Sequence, residues 1–78
     1  MEPTLKKTLA EYITGKRNEI TLVGHPVSIS IIHEAAKASR DLFTSLKEGN
    51  IELVSSALEK KRVAVERYEK VTGTPWGL

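Results

Sequence analysis

The stretch Ile20-Thr21-Leu22-Val23-Gly24-His25-Pro26-Val27-Ser28-Ile29-Ser30-Ile31 decides what kind of fold this chain adopts. Ile20 to Val23 is rich in β-branched residues, Gly24-His25-Pro26 interrupts it, and Val27 to Ile31 alternates strictly between apolar and polar. Two short runs of strand composition around a glycine-containing break read as a β-hairpin, with Pro26 entering the second strand where its missing N–H is tolerated. A second reading competes. Ile29, Ile32, Ala36, Ser39, Phe43 and Leu46 are spaced alternately three and four apart, so Pro26 could equally open a helix that runs to Lys47. We take the hairpin through about Ile29, with Ser30 capping a helix from about Ile31.

Upstream, Pro3 suits a first helical position and Gly15 the residue just past a helix end. Leu5, Leu9, Tyr12 and Ile13 fall between them on one stripe. Downstream, Gly49 fits a C-terminal cap and Asn50 an N-cap, so a new helix should run from Ile51 to about Val71, before Gly73 and Pro75. Its stripe reads Ile51, Val54, Leu58, Lys61, Val65, Tyr68. A turn of about two residues forces these two helices into an antiparallel hairpin. The facing pairs are then Leu46 with Ile51, Phe43 with Val54, Ser39 with Leu58, Ala36 with Lys61 and Ile32 with Val65. The expected fold is α+β and mostly helical: N-terminal helix, short β-hairpin, long helical hairpin. Residues 1–72 form one small domain and residues 73–78 a flexible tail.

Length and composition narrow the function classes. The chain has 78 residues, 28% of them charged, with 12 Lys and Arg against 10 Asp and Glu and no cysteine. That length holds one domain with a small core. Without cysteine there are no disulfides, thiolate metal sites or cysteine nucleophiles, which points away from a secreted protein. No apolar run approaches the ~18 residues of a membrane span, and no signal-peptide pattern opens the chain. The charges interleave along the sequence, so the surplus of two reads as a solvated surface and nucleic acid is not the expected partner.

Catalysis would have to start at His25 or His33, the only imidazoles, and neither sits in a metal-binding spacing such as HxxxH or HExxH. His25 reads as a turn residue and His33 as a helix-surface residue. No serine lies in a GxSxG elbow, and Thr14-Gly15-Lys16 lacks the rest of a phosphate loop. The sequence therefore suggests neither an enzyme nor a bound cofactor or metal. The one basic cluster, Lys60-Lys61-Arg62 with Arg67 and Lys70, spreads around its helix, and Arg62 can pair with Glu66.

Protein contact is the better expectation. Val63 lies opposite the stripe of its own helix and should be exposed. The tail carries Trp76 and Leu78 between glycines, and Trp is the residue most enriched at binding hot spots. Trp76 either docks in a partner's pocket or folds back onto its own core. Small size also favours association with copies of the chain or with a larger partner.

Residues Leu5 to Ser30, about a third of the chain, resemble the small bacteriophage head-tail joining proteins of the W family. The matching residues are Thr14-Gly15-Lys16-Arg17, the strand Ile20 to Val23, Gly24, and Val27-Ser28-Ile29-Ser30. The pattern then departs, because that family has one terminal helix where this chain has a helical hairpin. The resemblance implies a non-catalytic virion adaptor joining a ring at the portal vertex, in contact with neighbouring subunits and the next tail component. It also implies that Lys16, Arg17 and the β-hairpin are contact surfaces, and places the protein in the virion or the host cytoplasm. Two other readings are a regulator that binds a host protein through the helical hairpin and Trp76, and a DNA-binding regulator whose helix after Pro26 enters a groove.

Overall fold

A computed structural model describes residues 2–78 and shows three helices, α1 Pro3–Ile13, α2 Pro26–Glu48 and α3 Ile51–Thr72, with no strand among the described residues. The fold is all-α, so the expected β-hairpin does not form. Residues 27–29, which the hairpin and the resemblance to the W family both made a strand, lie in the opening turns of α2, and Ser30, expected to cap the helix, lies inside it. Pro26 stands at the start of that helix and the His25 Nδ1 accepts the Val27 N–H at 3.2 Å, an N-cap made by an imidazole.

The physical reason is partnership. A lone two-stranded hairpin is marginal in water, whereas each residue added to an existing helix gains a backbone hydrogen bond. Ile31, Ala35 and Ala38 supply the buried face that carries α2 through this stretch. The alternation in Ile20 to Val23 does have a counterpart: Ile20 is buried and Leu22 half-buried, while Thr21 and Val23 are exposed. No second strand pairs with it, so it runs as a connection between α1 and α2.

The helix ends follow local chemistry. Gly49, at φ 72°, closes α2 with its N–H donated to the Ser45 and Leu46 carbonyls, and the Asn50 Oδ1 accepts the Leu53 N–H at 3.2 Å to open α3. α2 and α3 thus fold back on each other, and α1 packs on α2.

The packing register differs from the expected one. α3 buries Ala57 and Tyr68, with Ala64 half-buried, whereas Leu58 is 56% exposed. The seam against α2 is therefore centred on Ala57, where small side chains let the two helices approach. Of the residues expected to fill it, Ala36, Ser39 and Tyr68 are buried and Ile32, Val54, Lys61 and Val65 half-buried, whereas Phe43, Leu46, Ile51 and Leu58 are exposed on the neighbouring side of the hairpin.

α1 and the C-terminal segment cover part of this side. Leu9, Ile13, Ile20, Ala36, Tyr68 and Trp76 form one buried cluster there. Trp76 is only 3% exposed: its ring meets Tyr68 edge-on at 4.9 Å, its Nε1–H donates to the Ser39 Oγ at 3.2 Å, and its backbone N–H donates to the Glu69 Oε2 at 3.1 Å. The Lys61 ammonium donates to the Leu78 carbonyl at 3.0 Å. The segment read as a flexible tail is thus packed against the domain, and Trp76 takes the folded-back of its two alternatives.

Candidate interaction surface

Eleven residues of α1 span about 16 Å and the 23 of α2 about 34 Å, so the cover is much shorter than the hairpin beneath it. The last turn of α1 comes to rest at Arg40, whose guanidinium lies 4.7 Å from the Tyr12 ring centroid and donates to the Asn18 carbonyl at 3.1 Å. Beyond Arg40 the same apolar rows continue without a lid. Phe43, Leu46, Ile51 and Leu58 are 39, 60, 84 and 56% exposed, while in the covered half of the same rows Ala36 has no exposure at all. Helical periodicity puts these four on one side of the hairpin, next to its loop. Scattered apolar residues are ordinary on a surface; four large ones on one side of two packed helices form a surface with a use.

The five residues expected to contact partners occupy three separate places. Lys16 and Arg17 are exposed directly after Gly15, which lines a groove with Thr14, Arg40, Phe43 and Lys47 and so borders the uncovered half. Arg17 makes only a 3.7 Å contact with Glu11. Val63 is 50% exposed on the far face of α3, beside Lys60 and Arg67. Trp76 is core, and Leu78 is half-buried under the Lys61 bond. Trp76 therefore presents no surface for docking, a correction to its expected role. Phe43, Leu46, Ile51 and Leu58 carried no interaction signal in the sequence, because they read as buried seam. The length mismatch between α1 and the hairpin was the available clue.

Three arginines pair with glutamates, Arg17 as above and two within the basic cluster. Arg62 donates to Glu59 Oε2 at 3.1 Å and Glu66 Oε1 at 2.8 Å, and Arg67 to Glu34 Oε2 at 3.0 Å. The Arg62 hydrogen bonds, then its charge, hold the Glu59 carboxyl below its ordinary range, and both glutamates push the Arg62 guanidinium further up. The basic cluster is compensated to that extent. Among the described residues no three His, Cys, Asp or Glu side chains group to hold a metal ion, and no helix is long and apolar enough to cross a membrane.

Comparison with known proteins gives no matching family model, no matching curated relative and no matching solved structure.

Proposed function

We propose that this protein is a non-catalytic interaction module that binds protein through the uncovered half of its helical hairpin. The observation that carries the reading is the continuity of the apolar rows: covered by α1 and Trp76 at one end, they are bare at the other, at Phe43, Leu46, Ile51 and Leu58. Burying such side chains in a partner is worth about 25 cal/mol per Å² of apolar area removed from water. A surface whose centre is four apolar side chains suits an apolar helical face better than a phosphate backbone, which would call for cations at the centre.

The narrower role implied by the W-family resemblance, a subunit of a phage head-tail joint, is a special case of the same reading. A subunit lodged between neighbours would use such a face, with Lys16 and Arg17 at its border.

The test is site-specific photocrosslinking in the native cells. A crosslinker at position 46 should capture protein, while one at position 37, exposed on another side of α2, should not. Equal capture from both positions, or none from either, would remove the interaction reading.

A further inference from the structure

Where the end of α1 meets α2, a groove opens whose lining includes Gly15 from the first element and Arg40, Phe43, Lys47 and Glu48 from the second. Arg40, Phe43 and Lys47 recur at i, i+3 and i+7 and so share one side of α2. An apolar ring, 39% exposed, thus stands between two cations.

Those cations have no anion of their own. Arg40 is held over the Tyr12 ring and donates to the Asn18 carbonyl, which uses only one of its guanidinium N–H groups. Among the described residues no carboxylate lies within 4.0 Å of Arg40, of Lys47, or of Lys16, the exposed residue that follows Gly15. Glu48, the one carboxylate of the lining, pairs with none of them. Arg62 and Arg67 differ, since each is bound to a glutamate on its own surface. Lys47 complements the C-terminal end of α2, but Arg40 stands about two turns earlier and has no such duty.

A positioned guanidinium with donors to spare is suited to an oxyanion, which it can hold through two parallel hydrogen bonds. Phe43 narrows the choice of oxyanion. A bare phosphate offers nothing to an aromatic ring, whereas an acidic residue in a peptide brings its carboxylate to Arg40 and Lys47 and a neighbouring apolar side chain to Phe43. We infer that this groove is a subsite for a carboxylate of the protein partner, so that the segment docking there is acidic as well as apolar. This rests on the interaction reading above and names the chemistry of what is bound.

The probe is a blocked helical peptide with leucines along one face and glutamates beside them, compared with the same peptide carrying glutamine for glutamate. Titrated into the isotopically labelled full chain in physiological salt, the glutamate peptide should bind about tenfold tighter and shift the amides of residues 14–16 and 43–47. Arg40→Gln with Lys47→Gln should bring the two peptides within about twofold of each other. Lys47→Gln alone should cut the preference about threefold; it touches none of the contacts that dock α1, so the test does not depend on the Arg40 variant folding. Lys60→Gln, which removes the same charge from the far face, should leave the preference unchanged.

Equal binding of the two peptides, or binding of neither, overturns the inference. So does a preference that survives Lys47→Gln or falls equally in Lys60→Gln, and so does a short DNA duplex that takes the same groove more tightly than the glutamate peptide. Capture at position 46 in cells judges the interaction reading separately: capture there without a preference for glutamate refutes the acidic partner alone.

Discussion

Trp76 shows how one side chain can hold a segment that composition alone would leave free. Its ring fills the space between Tyr68 and α1, and its single donor reaches Ser39, a residue 37 positions away in the chain. Truncating a buried tryptophan costs about 3 to 5 kcal/mol, a large share of the ~5 to 15 kcal/mol that holds a typical domain together. Trp76→Ala should therefore lower the thermal midpoint sharply or abolish the transition. Ser39→Ala is expected to cost about 1 to 3 kcal/mol, because it leaves the indole N–H buried without an acceptor. Combined with Trp76→Phe, which removes that donor, the cost should be less than the sum of the two, and denaturant titration of the four proteins reads the coupling. An additive cycle would mean that the hydrogen bond contributes nothing. The sequence offered both fates for Trp76 because the deciding partner is remote: a serine in the middle of α2 carries no local sign that it will face an indole.

Within the elements, most helix ends could be read locally, the exception being the start of α2, where His25 caps at Pro26 in place of the expected Ser30. Pro3, Gly15, Gly49, Asn50 and Gly73 mark helix ends through their own backbone and capping chemistry, which needs no knowledge of the rest of the fold. Asn50→Ala should accordingly cost about 1 kcal/mol. Two features depend on neighbours, and there the sequence misled. Val27 to Ile31 alternates like a strand, yet the outcome turned on the absence of a strand to pair with. On α3 the stripe's Tyr68 is buried, but Leu58 was given the place that Ala57 takes, because Leu58 is the larger although close helix packing selects the smaller side chain for the seam. The register is testable by contrast. Leu58→Asp should cost less than about 1 kcal/mol, since its carboxylate reaches water, whereas Ala57→Asp should unfold the hairpin by burying one. Circular dichroism melts of the two variants measured side by side decide it, and equal losses would contradict the seam described here.

The same helix carries a small pH dependence whose sign is fixed. Because Arg62 lowers the Glu59 pKa in the folded state, that contact stabilises the protein above the unfolded value of about 4.5 and is lost as pH falls through the folded value. The pair is exposed, so Glu59→Gln should barely move the melting midpoint at pH 7 in physiological salt. Whatever gap remains should close at pH 3, and a gap that widened in acid would reverse the assigned direction.

For the molecule as a whole, stability should be graded along the hairpin, because its side chains are buried at one end and bare at the other. Local opening is easiest where few apolar contacts must be broken. The backbone hydrogen bonds of α2 and α3 are continuous, but only around Ala35, Ala36, Ser39 and Tyr68 does opening expose a packed core. Near Phe43, Leu46 and Ile51 it exposes side chains that already meet water. Native-state hydrogen exchange of a dilute sample should therefore find the slowest amides in the α1-covered half, at about residues 35–39 and 64–68. Those at 43–48 and 54–58 should exchange markedly faster. Uniform protection in dilute solution would mean that the α2–α3 seam alone stabilises both ends.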